Sequence, residues 1–335
     1  MLKVSNRGLK FFGRMVLSGA IFLYLLSKID IEVARTTLAS LKYKYLLLAL
    51  VPILIELLLK SYKWQLLLKV KNIKVPYFEI FKIYYISSFI GMFLPSSLAI
   101  DLLRTYSLSK YIKNTHDSVS TVFVDRLLGI LSLVFVVLTG ILAVKTNFIN
   151  STIQFVVTII VSLFILFGGI ILSRHVIVFF EWLLKKFKFS HIKVEKYTNL
   201  LHRIYESIID FKNNKVQVFK VFLISIFFQF NRVAISYAVA LSFNINISLK
   251  YWIIIVPLVT LATMLPLAIG GIGVREGAFV FFLTQLGVSI STAFLLSLTT
   301  FLLVVITTLP GFGFYLMYGL SLKRNEENQF EKNRV

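Results

Sequence analysis

The sequence predicts an all-α, polytopic integral membrane protein with about six spanning helices and two further broken or re-entrant segments. Three observations lead there. Of 335 residues, 58% are hydrophobic and only 15% charged, against roughly 25% charge in a soluble chain. The mean hydropathy is +0.84. The apolar residues are gathered in long runs, at 15 to 27, 45 to 59, 78 to 100, 119 to 143, 152 to 172, 217 to 242, 251 to 287 and 292 to 319, and a crossing needs about 20 of them.

The first run follows Lys3, Arg7, Lys10 and Arg14. No small-x-small cleavage site comes after it, so it is expected to be an uncleaved anchor with a cytoplasmic N-terminus. Lysine and arginine counts orient the rest. Residues 60 to 77 carry Lys60, Lys63, Lys69, Lys71 and Lys74 with no acid, and 174 to 220 carry a dense set from Arg174 to Lys220; both are expected inside. The loops at 144 to 151 and 243 to 250 hold only Lys145 and Lys250 and are expected outside. The loop at 28 to 44 follows them by parity.

This orientation leaves no room for 78 to 100 to cross. It must enter from the cytoplasm and return, broken by Pro95 and Ser96-Ser97, as suits backbone buried in protein or lining a cavity. Pro257, Pro266 and the run Gly270-Gly271-Ile272-Gly273 are expected to break 251 to 287 in the same way. Pro95 precedes Arg104 by nine residues and Pro266 precedes Arg275 by nine. Around each lies span, broken segment, span, which fits an inverted repeat whose broken segments meet near the midplane. Nothing in 292 to 319 answers Asp125-Arg126. Residues 194 to 211 read as an amphipathic helix in the cytoplasmic loop 174 to 220. The membrane domain covers 1 to 322, and the polar tail 323 to 335 reads as disordered and cytoplasmic.

Four cations fall inside apolar segments: Lys82, Arg126, Arg232 and Arg275. The acids available to them are Glu56, Asp101, Asp125 and Glu276. A charge at membrane depth costs about 2.5–3.5 kcal/mol, so each implies a partner or a watery cavity. Adjacent helical residues point about 100° apart, so Asp125-Arg126 and Arg275-Glu276 are expected to pair across segments rather than with each other. Zero cysteines exclude thiol chemistry and disulfides. The scattered histidines, the absence of G-x-x-x-x-G-K-[ST] and the dispersed aspartates point to no metal and no cofactor. A net charge of +21 would suggest nucleic acid for a soluble protein; here it sets orientation, and no nucleic-acid partner is expected.

Three stretches resemble motifs of a known family: Leu94-Pro95-Ser96 through Asp101 and Arg104, Asp125-Arg126 through Gly129, and Pro266 through Gly270-Gly271-Ile272-Gly273-Val274-Arg275-Glu276, with Lys63-Trp64 and Pro310-Gly311 in support. The family is the flippase-like membrane domain of lysylphosphatidylglycerol synthases. Its paired glycines before the first aspartate are Ala99-Ile100 here, and the stretch matching the soluble aminoacyl-transfer domain is absent. The resemblance therefore implies lipid translocation in a multi-pass plasma-membrane protein whose termini are both cytoplasmic. On that reading Arg104, Arg126, Arg232 and Arg275 would bind an anionic lipid headgroup, a phospholipid, glycolipid or polyprenyl phosphate, its tail left in the bilayer. Asp101, Asp125 and Glu276 would support them or carry a coupling proton, and Pro95, Pro266, Gly270, Gly271 and Gly273 would shape the backbone. Two alternatives stay open: a lipid-modifying transferase, and a non-catalytic subunit docking a transferase partner.

Overall fold

The computed structural model describes residues 6–92, 94, 99–143, 158, 162, 209–211, 213–264 and 271–317. Pro95, Pro266, Gly270, most of the run 152 to 172, most of the 174 to 220 loop with its amphipathic helix, and the tail 323 to 335 lie outside the described residues. Every described element is a helix. In chain order they are α1 (Asn6–Ser27), α2 (Ile31–Ala39), α3 (Tyr43–Val70), α4 (Tyr77–Met92), α5 (Ala99–Ile112) and α6 (Thr115–Ala143). After the undescribed stretch come α7 (Lys215–Ser242), α8 (Leu249–Met264), α9 (Val274–Thr284) and α10 (Ile290–Thr308).

Four of these are long and apolar enough to cross a bilayer: α3, α6, α7, and α10 with its continuation to Met317, each 28 residues long over the span. At 1.5 Å per residue such a helix measures about 42 Å, ample for a hydrocarbon core of about 30 Å. The helices between them are too short. α4 and α8 have 16 residues each, α5 has 14 and α9 has 11, so the longest reaches about 24 Å. α4 packs against α5 and α8 against α9, which makes two helical hairpins whose tips fall at the breaks predicted from Pro95 and Pro266.

The first tip is tight. An added Cβ on Gly91, near the end of α4, would collide with Ile100 at the start of α5. The close approach that the family's paired glycines would allow on the α5 side is thus made by a glycine on α4, with a bulky residue opposite. At the second tip Gly271 and Gly273 take φ of +77° and +84°, a region open to glycine and strained for other residues. Ser18 of α1 donates its hydroxyl to the Ile272 carbonyl at 2.6 Å, so the anchor helix holds this turn from outside.

The two halves repeat. α7 begins at Lys215 and α8 at Leu249, each 172 positions after α3 at Tyr43 and α4 at Tyr77. Exchanging α3 to α6 with α7 to α10 maps the packing partners among these eight helices onto themselves. The halves are also inverted, because α3 and its counterpart α7 run antiparallel. The Lys42 backbone N–H donates to the Ser242 carbonyl at 3.0 Å, Asn231 donates to the Pro52 carbonyl at 2.8 Å, and Lys63 donates to the Ser225 hydroxyl at 3.2 Å. The hairpins therefore enter from opposite ends of the bundle. Each gathers its own core: Trp64, Leu67, Ile80, Leu108 and Val122 around the first, and Val239, Trp252, Ile255, Leu283 and Ala293 around the second.

Several sequence expectations need correction. Residues 60 to 70 are the last turns of α3, not loop, because Lys60 and Lys63 meet carboxylates and a buried charge can stay helical when it is paired. The loop expected at 28 to 44 contains α2, whose Asp30 accepts from the Glu32 and Val33 N–H groups as an N-cap. Pro257 does not break α8, which runs through it as α3 runs through Pro52.

Candidate functional site

The membrane charges divide into three groups. The first is a chain of five on α3, α5 and α6. Lys63 sits 2.7 Å from one Asp125 oxygen, and Arg104 donates to the other at 3.0 Å. Arg104 also donates to Asp101 at 2.7 Å, whose second oxygen accepts from Arg126. The Arg104 guanidinium lies in the corner formed by the rings of Trp64 and Tyr84, 5.0 and 4.6 Å from their centroids, and the residue is 2% exposed. Both terminal nitrogens of this guanidinium are thus committed to carboxylates and its plane lies against aromatic surface, while its buried Nε has no hydrogen-bond partner. Asp125 and Arg126 pair away from each other, as expected.

The second group joins α3 to α7. Glu56 accepts from Lys60 at 2.8 Å, from Arg232 Nε at 3.4 Å and from Asn231 at 3.3 Å. The third lies at the head of α9. Arg275 Nε donates to Glu276 Oε1 at 3.0 Å, joined there by Nη2. This overturns the expectation that adjacent residues would pair across segments. The first turn of α9 starts from a positive-φ glycine, and Glu276 folds back so that its other oxygen accepts from the Gly273 N–H at 2.6 Å, which brings its carboxylate beside the Arg275 side chain. Glu276 is wholly buried, and the Arg275 guanidinium stacks on Phe301 at 4.2 Å. Lys82 pairs with Glu79 at 2.8 Å near the base of the first hairpin.

Between the hairpins lies a cavity of about 280 Å³. Met92 and Ile100 face it from the first hairpin, Thr263 and Arg275 from the second, and the middles of α3, α7 and α10 complete the wall. Four charged residues line it: Glu56, Lys60, Arg232 and Arg275. Of the four arginines singled out from sequence, the structure brings Arg232 and Arg275 to this cavity and puts Arg104 and Arg126 in the five-charge chain beside it. Asp101 and Asp125 belong to that chain, while Glu276 backs Arg275. Gly271 and Gly273 form the turn that aims Arg275.

Lys60 and Lys63 were missed, having been counted as loop charges. The usable signal was their spacing from Glu56: Lys60 follows it by four residues, one helical turn, and Lys63 by seven, two turns along the same face.

An inverted repeat of spans and short hairpins around a charged central cavity defines a polytopic membrane protein. A family model, the lysylphosphatidylglycerol synthase TM region, matches residues 11–311, and the chain belongs to that family. No curated protein and no solved structure matches it. The membership marks a membrane protein of a lipid-handling family.

Proposed function

We propose that the chain takes the anionic headgroup of a membrane lipid into the central cavity and passes it between leaflets, its acyl or isoprenoid tail remaining in the bilayer. The observation that carries this is the position of Lys60, Arg232 and Arg275 around one cavity that Met92 and Ile100 of the first hairpin and Thr263 of the second also line. Cations at membrane depth are costly unless they are paired or face a polar occupant, and guanidinium forks match phosphate oxygens. Side chains of Ile53, Leu57, Ile235, Val256, Val259, Phe279 and Val304 make the rest of the lining apolar, suited to the start of a lipid tail.

The reading places the chain in the plasma membrane with both termini cytoplasmic, and treats it as a carrier rather than an enzyme. The test is purified protein in vesicles, following a fluorescent phospholipid and a polyprenyl-phosphate analogue from leaflet to leaflet. Accelerated movement that Arg275→Lys lowers, with the melting temperature within a few degrees of wild type, supports it. Wild-type rates in Arg275→Lys and Arg232→Ala refute the site, and chemical alteration of the lipid would establish a transferase instead.

A further inference from the structure

Resting on that lipid-site reading, we propose that the cavity selects a lipid phosphodiester whose headgroup ends in uncharged hydroxyls and rejects one that carries an ammonium.

The charges come first. A cationic headgroup needs a carboxylate whose charge is not already balanced, and among the described residues none lines the cavity. Glu56 already accepts from Lys60, Arg232 and Asn231. Glu276, behind Arg275, gives one oxygen to that guanidinium and the other to the Gly273 N–H. Lys60, Arg232 and Arg275 against Glu56 and Glu276 leave one net positive charge, and neither hairpin tip, 93 to 98 or 265 to 270, contributes a charged residue. One positive charge matches the single negative charge of a phosphodiester and repels an ammonium.

The remaining polar lining is hydroxyl. Ser88, Ser236, Thr260, Thr263, Thr300, Thr307 and Thr308 line the cavity. The five threonines send their protons to their own helices: Thr260 to the Val256 carbonyl at 2.8 Å, Thr263 to Thr260 at 2.7 Å, Thr300 to Leu296 at 2.9 Å, Thr307 to Leu303 at 3.0 Å and Thr308 to Val304 at 3.0 Å. A hydroxyl whose proton is committed keeps lone pairs and acts as an acceptor. A ring of acceptors near a net positive charge suits a neutral donor, and the hydroxyls of a polyol are that donor.

The test uses the full chain in detergent micelles with radiolabelled phosphatidylglycerol as the probe and four competitors. These are lysyl-phosphatidylglycerol, phosphatidylmethanol, phosphatidylglycerol itself and free glycerol 3-phosphate. Phosphatidylglycerol should compete at least about tenfold better than the lysylated lipid, as expected where like charges are brought together, and measurably better than phosphatidylmethanol, which has the same charge and no headgroup hydroxyl. Thr260→Val with Thr300→Val should erase the advantage over phosphatidylmethanol, with an unchanged elution profile and melting temperature showing that the variant is folded. Equal or tighter binding of the lysylated lipid overturns the selectivity while leaving a lipid site. Equal binding of phosphatidylmethanol to wild type overturns the hydroxyl contribution. Glycerol 3-phosphate competing as well as the lipid would reveal a site for a soluble phosphopolyol, and no saturable probe binding overturns this proposal together with the lipid reading beneath it.

Discussion

Replacing Asp125 with asparagine tests the five-charge chain most sharply. Asp125 is 5% exposed and is the only carboxylate touching both Lys63, at 2.7 Å, and Arg104, at 3.0 Å, among the described residues. Asparagine keeps the volume and removes the charge. Lys63 is then left with the Ser225 hydroxyl and the face of Phe228, 5.3 Å from its ring centroid, and Arg104 with Asp101 alone. Removing one partner of a buried pair costs about 3–5 kcal/mol, because the other charge is stranded away from water. Reversible unfolding of the purified protein in mixed micelles, followed by circular dichroism, should show a loss of that size. Lys63→Met should restore part of it, since the stranded cation is then gone; contacting charges couple by about 0.5–3 kcal/mol. A loss for Asp125→Asn below about 1 kcal/mol, the size of an exposed pair, or strict additivity of the two changes, would show that the chain does not hold α3, α5 and α6 together.

Other consequences follow from the geometry. Gly91→Ala should destabilise by about 1–3 kcal/mol, the usual cost of overpacking, and Ile100→Ala in the same chain should recover most of it; no recovery would mean the first hairpin does not close on Ile100. In this cysteine-free sequence, Lys74→Cys and Lys113→Cys should react with an impermeant thiol reagent from one side of the membrane and Asn246→Cys from the other, whereas labelling of 74 and 113 from opposite sides would refute the returning hairpin. Glu276→Gln, which keeps an acceptor for the Gly273 N–H but drops the charge beside Arg275, should destabilise by about 1–3 kcal/mol, the range for a broken hydrogen bond to a charged group, measured by the same unfolding assay.

Much of the architecture was legible because the bilayer imposes strong rules. Twenty-residue apolar runs, lysine and arginine counts and proline positions led to the spans, to a segment that returns, and to the repeat of Pro95–Arg104 in Pro266–Arg275. What misled was the use of charge to end a helix. In α3 the apolar run stops near residue 59, yet the helix continues to Val70, because Glu56 and Asp125 neutralise Lys60 and Lys63 at the positions where one-dimensional hydropathy sees a loop. The site suffered from the same blindness. Which of four arginines reach a cavity depends on how α7 and α9 pack, and sequence spacing carries nothing about that. The Arg275–Glu276 pairing was inverted for a related reason: a rule for helix interiors was applied to the first turn, where a carboxylate folds back on the N–H of the glycine before it.

The inverted repeat is symmetric in backbone and asymmetric in charge, and the asymmetry has energetic content. With the shift of 172 that relates α3 to α7, Lys63 corresponds to Ile235; with the shift of 171 that relates Pro95 to Pro266, Arg104 corresponds to Arg275, Asp101 to Ile272, Asp125 to Leu296 and Arg126 to Ser297. Of these five only the arginine at the head of each hairpin's second arm is shared, although Lys60 answers Arg232 by the shift of 172. In the first half its counter-ions sit on α5 and on the neighbouring α6, so displacing α5 would part Arg104 from Asp125, held 3.0 Å apart, and Asp101 from Arg126, two ion pairs that cross between the helices. In the second half the counter-ion is the adjacent residue of the same helix. A shift of α9 carries Arg275 and Glu276 together and breaks no ion pair among the described residues; what it gives up is the stacking on Phe301 and the hydrogen bond from Ser18 to the Ile272 carbonyl, each worth about 1 kcal/mol. Two hairpins of matching shape are thus held with very different stiffness, and the looser one carries the arginine that faces the cavity.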